Sequence, residues 1–157
     1  MRSHVLTIHI LLGLLVWVPF THRNAVQAQT TDRQMQELLR QVETGYHAAD
    51  PDIVTNAMTD DVILLPSGAG AIRGRHAVRA RYETYFRRGG IALTMNPQEI
   101  RVGDGWAVIR GAMSGRRANA TEESATIVGK FMMIVDRQQD GSWLLSRLIW
   151  NDDPEDL

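Results

Sequence analysis

The stretch Gly129–Asp153, GKFMMIVDRQQDGSWLLSRLIWNDD, constrains this chain more than any other. Phe131–Asp136 and Trp143–Trp150 are apolar and rich in strand formers, and Gln139-Asp140-Gly141 supplies turn residues between them, so the segment predicts a β-hairpin. Side chains alternate across a strand. On the first strand Lys130, Met132 and Ile134 alternate with Phe131, Met133 and Val135; on the second, Trp143, Leu145, Arg147, Ile149 and Asn151 alternate with Leu144, Ser146, Leu148, Trp150 and Asp152. A hairpin with one wet face shows apolar/polar alternation. Apolar residues on both faces require a cover on each side. Helices of this chain supply one, and a second copy of the chain is the simplest cover for the other.

The N-terminus has a different character. Arg2 marks a short basic start, Val5–Phe20 is an almost uncharged apolar run shorter than the roughly 20 residues a spanning helix needs, and Val26-Gln27-Ala28 offers small residues for cleavage. Residues 1–28 therefore read as a secretory signal, and 29–157 as the mature domain, secreted or periplasmic with no stable membrane anchor after cleavage. That domain keeps all 18 acidic residues and loses Arg2 and Arg23 from the 17 basic ones, a net charge of 15 − 18 = −3, which argues against a general nucleic-acid binder. The chain has no cysteine, so stability rests on packing rather than disulfides.

Thr31–Ala49 carries Met35, Leu38, Leu39, Val42, Tyr46 and Ala49 at helical spacing behind a Thr31/Gln34 capping box. Asp50-Pro51 ends this helix and starts a short one to about Met58, closed by Thr59-Asp60-Asp61. Val62–Leu65 is a short strand stopped by Pro66, Ser67–Ala71 a loop, and Arg75–Arg88 a third helix with Val78, Tyr82, Tyr85 and Phe86 on its buried side. Ile91–Met95 is a strand interrupted at Asn96-Pro97; Gln98–Val102 and Trp106–Gly115 follow, and Arg116–Ser124 is a polar hairpin tip before the opening hairpin. Helices first and long antiparallel strands later mean α+β.

The segments Ala49-Asp50-Pro51-Asp52, Thr59-Asp60-Asp61-Val62, Ile72-Arg73-Gly74-Arg75, Asn96-Pro97-Gln98-Glu99-Ile100, Trp106-Ala107-Val108-Ile109-Arg110-Gly111 and Asp140-Gly141-Ser142-Trp143 through Ile149-Trp150-Asn151 resemble the SnoaL-like, ketosteroid isomerase-like families of the nuclear transport factor 2-like superfamily. The resemblance covers nearly all of the mature chain. It implies a cone-shaped α+β barrel: a strongly bent antiparallel sheet wrapped around a long N-terminal helix plus two shorter helices, a pocket inside the cone, and a homodimer through the outer sheet face. The superfamily includes isomerases, cyclases, epoxide hydrolases, binding domains and oligomerisation domains, so chemistry has to be argued from individual positions.

In similar isomerases a carboxylate base precedes the proline that ends the first strand, and a first-helix tyrosine stabilises the enolate; those positions here hold Leu65 and approximately Val42, with Tyr46 one turn on. A leucine cannot take a proton. The epoxide hydrolases of the superfamily use an Asp–Arg–Asp set; Arg110 and Arg147 offer arginines, but Asp136 and Asp152 fall at strand ends, and Leu148 stands where some similar sequences carry an acid. The candidate pocket residues are therefore Tyr46, Tyr82, Trp106, Arg110, Arg147 and Asn151. An arginine inside a half-apolar cavity needs a partner and can hold a carboxylate or phosphate. Alternatively, Arg110 and Arg147 point outward and pair with Asp60, Asp61 or Glu99, and the tyrosines are core.

The mature chain has two histidines, His47 and His76, with no acid cluster at ligand spacing, so no metal site and no cofactor is expected. Ser67 matches no nucleophile elbow. The arginine run Arg73, Arg75, Arg79, Arg81, Arg87 and Arg88 is either an anion contact or, with Glu83 four residues from Arg79 and Arg87, a solvated helix face. The reading is an exported domain that holds a small organic ligand and lacks a complete catalytic set. An isomerase, dehydratase or cyclase using Arg or Tyr donors, and a ligand-free oligomerisation domain with its hollow filled by Met132, Met133 and Trp150, are the alternatives.

Overall fold

The computed structural model describes residues 20–117 and 126–153. In chain order the elements are α1 (Phe20–Ala48), α2 (Pro51–Asn56), β1 (Met58–Leu65), β2 (Ile72–Arg73), α3 (Arg75–Arg87), β3 (Ile91–Val102), β4 (Trp106–Arg117), β5 (Thr126–Arg137) and β6 (Trp143–Asp152). They build one six-stranded sheet in the order β2-β1-β6-β5-β4-β3, strongly bent, with the three helices against its concave face. This is the α+β cone. Its sheet is mixed rather than wholly antiparallel, because β1 runs parallel to β6; all other neighbours are antiparallel.

Several boundaries differ from the sequence expectation, each for a local reason. Helix α1 begins at Phe20, not Thr31, since no Gly or Pro interrupts the chain from Phe20 to Thr44. Thr31 is buried in the helix rather than capping it, and Gln34 accepts from Trp143 Nε1 of β6 (3.2 Å). Thr59-Asp60-Asp61 lies within β1 instead of closing α2. Asp50 does cap α2, its carboxylate accepting from the amides of Asp52 and Ile53 (2.8 and 3.3 Å) ahead of Pro51. Strand β3 passes through Asn96-Pro97 without a break by means of a bulge between Pro97 and Glu99. The facing residue is Gly111, where a Cβ would come within 2.1 Å of the Asn96 carbonyl oxygen.

Residues 1–19 of the segment read as a signal, residues 118–124 of the expected hairpin tip, and the residues after Asp153 lie outside the described residues. Among the described residues no helix is long and apolar enough to cross a membrane.

The hairpin that opened the sequence reading forms β5 and β6, with Gly141 at φ 85° and the Asp140 carboxylate accepting from Ser142 N–H and O–H in the turn. A bulge changes its faces. Ile134 pairs with Arg147 but Val135 pairs with Leu145, so Ser146 is the extra residue, buried, with its hydroxyl donating to the Ile134 carbonyl (3.2 Å). Trp143 and Leu145 therefore face the core together with Leu148, whereas Arg147, Ile149 and Asn151 face outward. Simple alternation put Trp143, Leu145, Arg147, Ile149 and Asn151 together on one face and Leu148 on the other.

The concave side holds one continuous core, with Met35, Leu38, Leu39 and Val42 of α1 against Val54, Met58, Val62, Ile109, Val135 and Leu145. Gly45 sits so close to α2 that a Cβ would lie 2.4 Å from the Val54 side chain. At the free edge, two side chains of α1 one turn apart satisfy backbone groups of β3: Glu43 Oε1 accepts from the Met95 amide (2.6 Å), and His47 Nε2 bonds the Leu93 carbonyl (2.9 Å). A hydrogen bond to a charged acceptor contributes about 1.5–3 kcal/mol. Glu43→Ala is accordingly expected to lower unfolding stability by about that amount, while Glu37→Ala, on the exposed side of α1, changes it by less than about 0.5 kcal/mol. Urea denaturation of the two variants measures both.

Candidate functional site

Between α1, α3 and the bent sheet the packing leaves a hollow of about 390 Å³. The i, i+4 pair Val42 and Tyr46 enters it from α1, Tyr82 and Tyr85 from α3, and the inward-facing positions of the strands complete the wall: Met95, Met113, Phe131, Met133, Leu148 and Trp150 among them. The lining is overwhelmingly aliphatic, thioether and aromatic, the composition of a site for an apolar small molecule.

Its polar centre is a pair of phenols. Tyr46 Oη donates to Tyr82 Oη at 3.0 Å, and the two rings meet edge to face at 5.4 Å. Phe86 holds both in place, stacked on Tyr82 and edge-on to Tyr46. Two hydroxyls sharing one hydrogen bond leave one phenolic proton to donate elsewhere. Burial raises both pKa values: Tyr46 lies well above 10.0, with the neighbouring Tyr82 adding to the rise, and Tyr82 is pushed up to about 12. At neutral pH both are uncharged donors, not bases.

The sequence candidates separate cleanly by face. Tyr46 and Tyr82 line the hollow. Trp106, Arg110, Arg147 and Asn151 do not; all four lie on the convex face of the sheet. Trp106 covers Gly103 at the β3–β4 turn. Arg110 pairs with Glu99, whose carboxyl is held below its ordinary range first by Arg101 and then by Arg110. Arg147 pairs with Asp61 at 3.2 Å. For Arg147 and Asn151 the physical reason is the Ser146 bulge; for Trp106 and Arg110 it is that Ala107, Ile109 and Gly111 take the inward positions of β4. Both arginines thus take the outward arrangement, each with a carboxylate partner.

Sequence reasoning missed most of the wall. Met58, Met95 and Met113 line the hollow from three strands, and Arg81 and Arg88 stand among its lining residues. Arg81, Tyr85 and Arg88 follow i, i+4, i+7 spacing, a signal available in the sequence had helix face been weighed beside charge. Met133 and Trp150 do line the hollow, whereas Met132 faces out. Val42 and Leu148, where related enzymes place functional side chains, line it without titratable groups. Among the described residues no three His, Cys, Asp or Glu side chains gather as metal ligands.

A mixed, strongly bent sheet around a long helix with an apolar hollow between them defines the nuclear transport factor 2-like, cystatin-like class. A family model for the SnoaL-like domain matches residues 38–145, more than half of the chain. The chain belongs to the SnoaL-like family. Solved structures with similar folds include a nuclear transport factor 2-like protein with a cystatin-like fold from Novosphingobium aromaticivorans (18% identity, 92% of this chain and 94% of that one, TM-score 0.72). Two more are a conserved protein from Planctomyces limnophilus (21%, 80% and 99%, 0.68) and a ketosteroid isomerase-like protein from Erwinia carotovora atroseptica (19%, 76% and 94%, 0.65). No curated protein matches the sequence significantly.

The buried phenols make a direct prediction. The folded state keeps protons that the unfolded chain releases near pH 10, so their contribution to stability is intact below about pH 10 and falls as pH rises from there towards about 12. Ultraviolet titration at pH 10.5 is expected to find Tyr46 and Tyr82 un-ionised in the folded protein and released on adding urea.

Proposed function

We propose that this is an exported, non-catalytic binding domain that holds a small, largely apolar organic molecule inside the cone. The observation that carries this reading is the hollow itself: about 390 Å³ of mostly apolar wall with a single hydroxyl pair at its centre. A cavity of that size matches the lower range of small-molecule sites, and one fixed donor orients a carbonyl or hydroxyl without activating it. Proton-transfer chemistry next to a carbonyl needs a base; the positions at which related enzymes carry their acids and tyrosine hold Leu65, Leu148 and Val42. Native mass spectrometry of the protein purified from its own host is expected to retain a stoichiometric small molecule, and N-terminal sequencing of that material a start at Gln29. Tyr82→Phe is expected to weaken binding of the recovered molecule by about tenfold, one hydrogen bond's worth, and also to lower stability, because Tyr46 loses its acceptor. A wild-type protein that binds nothing, or a hollow that closes on side chains in solution, would falsify the binding reading.

We also propose a homodimer through the convex face of the sheet. Met132, Ile134 and Ile149 stand 47%, 37% and 44% exposed there beside Val128 and Trp106. An apolar patch on adjacent strands of this kind is typical of an interface. Light scattering at micromolar concentration is expected to give twice the chain mass for the wild type and the monomer mass for Met132→Asp with Ile149→Asp.

A further inference from the structure

The arginines of α3 and its C-cap fall into two sets. Arg75, Arg79 and Arg87 each have a carboxylate partner, at 3.0 Å from Asp60, 2.6 Å from Asp52 and 3.4 Å from Glu83. Arg81 and Arg88 line the hollow instead, and neither makes an ion pair with any described residue. They are seven positions apart, two helical turns and about 10 Å along the axis, on the same side as Tyr85 between them. Arg81 is near enough to the tyrosine pair that its charge opposes the rise of both phenol pKa values, so its field reaches into the hollow. Arg88 is grouped with Gly90 and Ile91 in the wall.

The remaining charge on the wall is Asp152, exposed at the end of β6. Two guanidiniums against one carboxylate leave the opening net positive, while the aliphatic and aromatic surface behind it carries no charge at all. Three arginines neutralised on one side of a helix and two left unpaired at a cavity is an arrangement that a purely solvated helix face has no reason to produce.

We propose that Arg81 and Arg88 form an anion-binding mouth, so that the ligand of the hollow is an amphiphile with an apolar body and a carboxylate, sulfate or phosphate head. This rests on the reading of the hollow as a ligand site. The head stays at the water-facing opening, where both guanidiniums are exposed and where no ion has to be buried. The body enters among Met95, Met133, Leu148 and Trp150. Guanidinium suits this position because its planar fork meets the paired oxygens of such heads and its charge is permanent.

Calorimetric titration at pH 7.5 and low salt with decanoate, decyl sulfate and 1-decanol tests the assignment on three proteins: wild type, Arg81→Gln with Arg88→Gln, and Arg79→Gln with Arg87→Gln as a control that loses the same charge from the paired side. The expected result is that wild type binds the two anions at least about tenfold tighter than decanol, the worth of one charge-assisted hydrogen bond. The Arg81/Arg88 variant is expected to bring the anions to the affinity of decanol without altering decanol, and the control to behave as wild type. A preference for decanoate over decyl sulfate, or the reverse, identifies the head. Equal binding of anions and decanol by wild type overturns the anionic mouth and leaves the apolar pocket standing. A preference that survives in the Arg81/Arg88 variant, or is lost equally in the control, also overturns it. Binding of none of the three by wild type overturns the pocket reading and the mouth with it.

Discussion

The seat of α1 in the bent sheet is the contact on which the rest of this molecule depends. Strand β3 is the free edge of a six-stranded sheet, and an edge strand presents unpaired amides and carbonyls to whatever is nearby. Here α1 takes them up, with Glu43 on the Met95 amide and His47 on the Leu93 carbonyl, one helical turn apart. The same helix reaches β6 in the middle of the sheet through Gln34 and Trp143. A sheet held at its edge and at its centre by one helix curves around that helix. The hollow is the space that such curvature leaves where α1 and α3 diverge from the strands.

The wall of that space is chemically sparse, and the sparseness is informative. Tyr46 and Tyr82 inside it are phenols made harder to ionise by burial, and they satisfy each other before they satisfy anything else. Charge is confined to the opening, where Arg81, Arg88 and Asp152 stand. As the proposed ligand site, it would select by shape, by one hydrogen bond and by the field at its entrance. Among the described residues, the lining holds no histidine, and its one carboxylate, Asp152, stands at the end of β6.

Much of the architecture was legible in the sequence because it depends on local periodicity and breaker residues. The apolar stripe Met35, Leu38, Leu39, Val42 fixed the buried face of α1, Asp50-Pro51 fixed the start of α2, and Asp140-Gly141 fixed the last turn. The site was harder to read. Of the six candidates, Tyr46 and Tyr82 came from helices, where spacing of 3.6 residues per turn is robust, and these line the hollow. The other four came from strands, where one extra residue inverts every side chain beyond it. Ser146 is such a residue, and nothing in Leu-Leu-Ser-Arg-Leu announces it.

What the sequence determined by itself was the α+β class, the helical faces, and the presence of apolar residues on both sides of the last hairpin. Those follow from side-chain chemistry repeated at a fixed period. Which arginines face the cavity was decided only by the tertiary structure. A guanidinium settles wherever a carboxylate is within reach: Arg110 and Arg147 found Glu99 and Asp61 on the convex face, Arg79 and Arg87 found Asp52 and Glu83, and Arg81 and Arg88 were left without one at the mouth of the hollow. Glu99, Asp61 and Asp52 come from other elements, so their distances exist only once the chain has folded, whereas Glu83 lies four residues from Arg87 on the same helix and was legible in the sequence.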